Sequence, residues 1–520
     1  MTSEARRGRE LRCAAAARTR APHGTPLRAP RPLAAALCVL LAAAAAAAAG
    51  DPITIDSSVI LLYAGDVEGG GGSECAQMAR RAMEGGGRTV NFVVTGYYRT
   101  DGADRLVDLG FKASQRDRQL RPFTADAAAR FGAGLADCMR LAASRGFGLA
   151  VHVHLDDGGG GGTWRNALQF DPFTQYGQLS YWEALVRPAA LAVRAANVAK
   201  APALLSLQAE MGATLFYYPR SYLAMARQVR ALIAEGGTPP AAVRVGVNLN
   251  WEKVCGCPGD LMQSTNYYSD LRRRWNDVRA AVSVPDVQAL FRAVDWIGVS
   301  AYAPLPLAPR AADLEASLRR ADGELRLFGL DLRGLGKELV FSEFGVGGGA
   351  ASDYQTPARD ASAAAAAPFW GVDGRYAAAR DPWASPASRD FRRAVYRAAV
   401  DFAEAGGGPD YKVSAIYTWN LVSFDATGVH YCSASDEGSY RDPVIAEAIR
   451  AHNEAARARG RGGAGAAASP APAPAPAPPG KEAGRQDREL AGAPSPAPAP
   501  APSPVPAPAP ASGRPPNLSG

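Results

Sequence analysis

Ala203-Leu-Leu-Ser-Leu-Gln-Ala-Glu210 and, further along, Glu338-Leu-Val-Phe-Ser-Glu343 are short apolar runs that each close on a carboxylate. Read outward from the first, the same kind of run recurs to make eight: Val59–Gly65, Thr89–Thr95, Gly148–Leu155, Ala203–Ala209, Val243–Asn250, Asp295–Tyr302, Glu338–Phe344 and Val413–Asn420. Between them lie longer Ala-, Leu- and Arg-rich stretches with helical spacing, at Ala125–Ser144, Tyr181–Ala199, Tyr222–Glu235, Val287–Ala293, Ala312–Leu327, Arg389–Glu404 and Pro443–Ala456. Short apolar runs suit buried strands and the longer stretches suit helices, so their alternation predicts repeated βα units on a parallel sheet. Eight units predict an α/β protein built as a closed (β/α)₈ TIM barrel with long βα loops. An open doubly wound sheet has about five or six strands and a spaced glycine fingerprint after the first. The glycine runs here, Gly69–Gly72, Gly85–Gly87 and Gly158–Gly162, lack that spacing and read as flexible loops.

The ends of the chain differ from its middle. Residues 1–50 carry eight Arg and two Glu, hence six of the seven net positive charges of the 520-residue chain, and the uncharged run Leu33–Ala49 follows the last of those Arg. This reads as a targeting segment, with a signal peptide as the first reading and a signal anchor or an organelle transit peptide as the others. Residues 51–458 hold the barrel. Residues 459–520 turn to Pro-Ala alternation, interrupted by the charged patch Lys481–Glu489, and predict an extended, solvated, disordered tail. Its composition resembles the Ser-Pro and Ala-Pro modules of cell-wall glycoproteins, and Asn517-Leu-Ser519 is a glycosylation sequon within it. The expected location is secreted or extracellular, with the cell wall included; an organelle lumen or a signal-anchored form are the alternatives. Outside the leader the charge is close to balanced, which argues against nucleic acid as the main partner.

Seven cysteines are present, and removal of Cys13 and Cys38 with the leader leaves Cys75, Cys138, Cys255, Cys257 and Cys432, enough for two disulfides and one thiol. Cys255-Gly-Cys257 has no second cysteine pair or nearby His to complete a zinc site, so no metal and no cofactor is expected there.

In barrels of this kind the chemistry sits at the C-terminal strand ends. Glu210 closes strand four and Glu343 closes strand seven. A retaining glycosidase needs two carboxyl groups about 5–5.5 Å apart, one to protonate the leaving oxygen and one to attack the anomeric carbon. Strand six, Asp295-Trp-Ile-Gly-Val-Ser-Ala-Tyr302, and strand eight, Ser414-Ala-Ile-Tyr-Thr-Trp419-Asn, add two further polar or aromatic ends.

Across residues 55–456 these motifs resemble clan A of the glycoside hydrolases, and within it family 113, the endo-β-mannanases. The segments that carry the resemblance are Gly298-Val-Ser-Ala-Tyr-Ala-Pro-Leu305, Phe341-Ser-Glu-Phe-Gly345 and a His-containing third strand. The resemblance implies that Glu210 is the acid/base and Glu343 the nucleophile, that Tyr302 hydrogen-bonds the nucleophile, and that Trp419 floors the sugar site. Ala209 stands where many clan A families have Asn directly before the acid/base, a departure that points away from family 5. A retaining hydrolase of β-linked hexose polysaccharide or oligosaccharide is therefore expected, with mannan as the first substrate.

Two readings from other classes stay open at this point. Strand three, Val151-His152-Val-His154-Leu-Asp156-Asp157, puts His152, His154 and Asp156 on one face, and an H-x-H on a barrel strand also occurs in metal-dependent amidohydrolases. Those enzymes need further ligands on later strands, whereas only His430 and His452 follow here. His154 and Asp156 are read as sugar hydroxyl partners, and His152 equally as a core residue. The non-enzymatic rival is a carbohydrate-binding or cell-wall protein on a decayed barrel. Aromatic platforms for sugar faces are sought among Trp164, Tyr181, Trp182, Tyr217, Tyr218, Trp251, Trp370 and Trp383. Asn250 and Trp251 at the end of strand five are the favoured contacts. Arg99 beyond strand two either keeps the nucleophile ionised or forms a surface ion pair.

Overall fold

The computed structural model describes residues 53–466, apart from 102–104, 114–116, 118, 159–162, 351–352, 370, 372–375 and 422–439. The leader, Cys13, Cys38, Trp370, His430, Cys432, Asn517 and nearly all of the Pro/Ala tail lie outside the described residues.

Eight strands close into a barrel: β1 (Ile55–Leu61), β2 (Thr89–Thr100), β3 (Gly148–Asp157), β4 (Ala203–Ala209), β5 (Val243–Leu249), β6 (Trp296–Ala301), β7 (Glu338–Phe344) and β8 (Val413–Leu421). Each pairs in parallel with the next, and β8 returns to β1. The outer ring is α1 (Glu74–Glu84), α2 (Ala125–Ala143), α3 (Arg187–Ala196), α4 (Pro219–Ala234), α5 (Val284–Ala293), α6 (Ala316–Leu325), α7 (Pro386–Glu404) and α8 (Pro443–Ala466). This is a TIM barrel. α3 is preceded by a π-helical turn, Trp182–Val186, and α8 continues past residue 458, where the composition first changes.

Local sequence explains the ring. Ser73, Thr124 and Ser385 cap α1, α2 and α7, each accepting a backbone N–H three residues on. The inner faces of these helices are buried, for example Cys75, Met78, Ala79, Ala82 and Met83 of α1. The pattern is the apolar stripe a barrel helix needs. Inside the barrel, Ala150, Trp296, Val340 and Tyr417 pack as one apolar group, while Ile60 and Val93 pack with Trp419 as another.

Short helices at Gly212–Tyr217, Tyr267–Arg273 and Trp275–Ala281 were not expected, and three further departures concern the first two strands and the helix between them. β1 begins and ends four residues before the expected run, because Asp56, Ser57 and Ser58 are buried strand residues despite their polarity. Asp56 accepts from Arg88 N at 2.8 Å and from the Thr54 hydroxyl at 2.9 Å, and Ser58 accepts from Asn91 Nδ2 at 2.9 Å. Such pairing offsets part of the cost of burying Asp56 and Ser58, and burial still raises the Asp56 pKa to about 6. Second, α1 occupies the space between two glycine runs that read as loops; Gly86 (φ +73°) turns the chain after α1, and at Gly87 a Cβ would stand 1.9 Å from Asp56 Oδ1. Third, β2 continues to Thr100 and returns antiparallel through Leu106–Phe111, so Arg99 lies on this ribbon opposite Asp108.

Cys75 of α1 and Cys138 of α2 form a disulfide with Cα atoms 6.0 Å apart, and Cys255 and Cys257 are paired in the loop after β5. No described helix is long and apolar enough to cross a membrane.

Candidate active site

Several ladders slip near the mouth of the barrel. The β4–β5 register breaks between Ser206 and Ala209, β6–β7 between Val299 and Ser300, and β7–β8 between Phe341 and Phe344. A bulge re-aims the side chain that follows it. Glu210, next after β4, has φ +55°, a backbone conformation a non-glycine residue adopts at a cost of about 1–2 kcal/mol. The surroundings hold it there. The Glu210 N–H donates to the Asn248 carbonyl at 3.1 Å, and buried Gln208 donates to the same carbonyl at 2.8 Å while accepting from Met211 N at 2.7 Å.

Both glutamates are buried, Glu210 at 1 % and Glu343 at 2 % exposure. Glu210 uses both oxygens as acceptors: Asn250 Nδ2 donates to Oε1 at 3.0 Å and Arg165 Nη2 donates to Oε2 at 2.8 Å. Tyr302 donates its hydroxyl to Glu343 Oε2 at 3.1 Å. Burial, and then the charge of Glu210, push Glu343 well above the usual carboxylate range, against the opposing pull of Arg165 and the Tyr302 hydroxyl. Tyr302 itself is raised well above the usual tyrosine range by burial and by Glu343. The two carboxylates and Tyr302 thus share one electrostatic environment.

Arg165, in a short turn after β3, was not singled out by sequence. Its guanidinium bridges Glu210 and Asp156, the latter at 3.0 Å. Burial works against its charge, but Glu210, Asp156 and Glu343 overcome this and keep it protonated. The signal available in the sequence is a lone cation just past the glycine run Gly158–Gly162 that follows strand three. The neighbouring Asn166 fixes the turn: fully buried, it accepts from Gly212 N at 2.7 Å and donates to the Lys253 carbonyl at 2.5 Å, tying the loops after β3, β4 and β5 together.

The other expected residues divide. His154 is buried beside Arg165, with Nδ1 3.5 Å from Asp156 and its ring 5.9 Å from that of half-buried Trp419. Burial and then the Arg165 charge push its pKa down to about 3, so it is a neutral imidazole, and among the described residues neither ring nitrogen has a hydrogen-bond partner. His152 lies deeper, bonded to Asn91 and packed on Trp296 and Tyr417, and is a core residue. Asn250 is at the site. Trp251 has the Arg320 guanidinium over its ring at 4.7 Å. Arg99 is not with Glu343; its side chain is 57 % exposed and pairs with Asp108 at 3.4 Å, the surface ion pair, and Arg165 stands at the site instead.

Among the aromatic residues, Tyr181 bonds the Leu207 carbonyl, Trp182 packs on Phe173, and Trp383 lies under the Arg392 guanidinium, so these three serve packing. Trp164 and Tyr217 are half-buried against the core, and Tyr218 is half-buried too. Phe369, which sequence reasoning missed beside Trp370, is 41 % exposed and meets Tyr302 edge-on at 5.2 Å. Among the described residues no three or more His, Cys, Asp or Glu are grouped to hold a metal ion.

No protein-family model and no curated protein matches the chain. Among solved structures it is similar to a GH113 β-1,4-mannanase in complex form, at 13% identity over 77% of this chain and 99% of that one, with a TM-score of 0.44. It is similar also to the GH113 β-mannanase AaManA from Alicyclobacillus acidocaldarius, at 18% identity over 79% and 99% with a TM-score of 0.41. The Ignisphaera aggregans GH53 catalytic domain follows at 13% identity, 78% and 97% coverage and a TM-score of 0.34. The similarity is one of fold, and the barrel itself rests on the closed ladder of eight parallel strands.

Proposed function

We propose that this protein is a retaining glycoside hydrolase acting on β-linked hexose polysaccharide or oligosaccharide, mannan first, by double displacement. The observation that carries the reading is the pair of buried, electrostatically linked carboxyl groups, Glu210 and Glu343, at the mouth of a (β/α)₈ barrel, with Tyr302 bonded to one of them. In the first step the Glu343 carboxylate attacks the anomeric carbon while Glu210 gives its proton to the departing glycosidic oxygen. A glycosyl ester on Glu343 and a free alcohol result. In the second step Glu210, now a carboxylate, takes a proton from water; the water oxygen attacks the same carbon, and Glu343 leaves with its electron pair.

Tyr302 stabilises the charged form of Glu343, and Asn250 orients Glu210. His154 has ring nitrogens that no described residue hydrogen-bonds and that can meet sugar hydroxyls, and the aromatic faces of Trp419 and Phe369 suit sugar rings. The Arg-rich leader with its uncharged run supports export, and the Pro/Ala tail supports association with a cell wall. A polysaccharide panel with reducing-sugar readout tests the activity, and proton NMR of the first product tests the mechanism. The β anomer is expected to form first. Release of no sugar from any β-hexan supports the carbohydrate-binding reading instead, and an initial α anomer excludes double displacement.

A further inference from the structure

The hydrogen bonds to Glu210 oppose the role assigned to it. A general acid must present an oxygen bearing a proton to the leaving group, yet each oxygen of Glu210 already accepts an N–H, from Asn250 on one side and from the Arg165 guanidinium on the other. A cation in hydrogen-bond contact favours the ionised carboxylate. Arg165 and Asn250 therefore hold Glu210 as an acceptor on both oxygens, whereas the first step requires it to donate.

The guanidinium has somewhere else to go. Nη1 is already on Asp156 at 3.0 Å, the Asp156 side chain is one-third exposed at 32 %, and among the described residues Arg165 Nε is a buried donor with no acceptor. An unpaired buried donor is costly, so a second arrangement that uses it is close in energy. The backbone cannot follow, because Asn166 is bonded to both Gly212 and Lys253. Any movement is confined to the Arg165 side chain. The charged or titratable groups that act on it are Glu210 after β4, Asp156 and His154 on β3, Glu343 on β7 and Tyr98 on β2.

We propose that Arg165 is a positioning residue that holds Glu210 as a hydrogen-bond acceptor while the cleft is empty and passes to Asp156 alone as substrate enters, freeing Glu210 to donate its proton. The proposal rests on the reading of Glu210 and Glu343 as a retaining pair. No bond is made or broken by Arg165; one ion-pair contact is exchanged.

The test compares two pH profiles on β-mannan oligosaccharides. The alkaline limb of kcat/KM reports the free enzyme and that of kcat the substrate complex. In the wild type the alkaline limb of kcat should lie at higher pH than that of kcat/KM, because Arg165 has left Glu210 in the complex. In Arg165→Met the two should coincide at the higher position, and Arg165→Lys should restore part of the separation. Asp156→Asn removes the receiving group and should lower kcat about tenfold or more; in the R165M/D156N double variant that further loss should be absent. Coincident limbs in the wild type, or an Arg165→Met profile whose limbs keep their separation while kcat falls, overturn the proposal and leave Arg165 a structural bridge. Carbon-13 titration of the glutamate carboxyl groups in folded wild type and Arg165→Met gives a readout independent of turnover: removing the cation should move the last deprotonation of the pair to higher pH, and no movement overturns the proposal. If the wild type cleaves no glycoside while this titration moves, the reading of the site fails and the Arg165 clamp stands.

Discussion

The hydroxyl of Tyr302, one residue past β6, stands 3.1 Å from Oε2 of Glu343, the penultimate residue of β7, and both side chains are buried. The register slip between Val299 and Ser300 sets Ser300 against Glu343 and brings the two strand ends level. The hydroxyl donates to the charged form of Glu343 and works against the upward push of burial. Tyr302→Phe keeps the ring and its contact with Phe369 but removes this donor. Glu343 should then hold its proton to higher pH, moving the acid limb of kcat/KM upward. A hydrogen bond to a charged group is worth about 1.5–3 kcal/mol, so a loss of about 10–100-fold in kcat/KM at neutral pH is expected. A pH profile superimposable on the wild type shows that the contact has no part in ionisation.

Glu343→Ala removes the nucleophile and leaves space for a small anion. With azide and an activated aryl β-glycoside, this variant should form an α-glycosyl azide, the inverted product. Glu210→Ala should still be glycosylated by a substrate with a good leaving group, accumulate the ester, and yield a β-glycosyl azide. Product NMR distinguishes them. The same anomer from both variants, or near-wild-type turnover without azide in either, removes the assigned roles.

Glu324 of α6 is buried and accepts from Val254 N at 2.9 Å and Cys255 N at 2.7 Å, holding the loop that begins at Asn250 and Trp251. Burial pushes its pKa up to about 7 against these hydrogen bonds. A folded-state pKa raised above the unfolded one means that the folded protein binds the proton more tightly. The resulting stability is fully present below about pH 4.5 and is lost as pH rises through about 7. Its full size is on the order of 3 kcal/mol. Urea unfolding of wild type and Glu324→Gln from pH 4 to 8 should show this component in the wild type only; parallel curves show that Glu324 does not titrate in the fold.

The Cys75–Cys138 disulfide joins α1 to α2 across a sequence separation of 63. Closing a loop of that size is worth about 2–4 kcal/mol, chiefly through the unfolded chain. The C75A/C138A double variant should lose stability of that order in urea while keeping its KM, because neither helix carries a site residue. Unchanged stability would show that the bond is not formed in the isolated protein.

The alternation of apolar runs with helical stretches determined the barrel, because each run is a strand buried on both faces and each stretch must cover it. Strand number, and the placement of two glutamates at strand ends four and seven, were legible for that reason: a carboxylate that closes a mostly apolar run marks the C-terminal end of a barrel strand. β1 was misplaced because its polar residues are satisfied by neighbouring strands, a fact local composition does not carry. α1 was hidden between glycine runs that serve as turns. Tertiary structure alone decided which arginine joins the glutamates. Arg99 and Arg165 both come after the apolar part of a strand, but β2 runs on through Arg99 into a ribbon that pairs it with Asp108 at the surface, while Asn166 ties the turn after β3 to the two neighbouring loops and delivers Arg165 to Glu210. Periodicity reports which face of an element is buried. The partner of a charge depends on where loops of different strands meet, and that is set by contacts between residues remote in sequence.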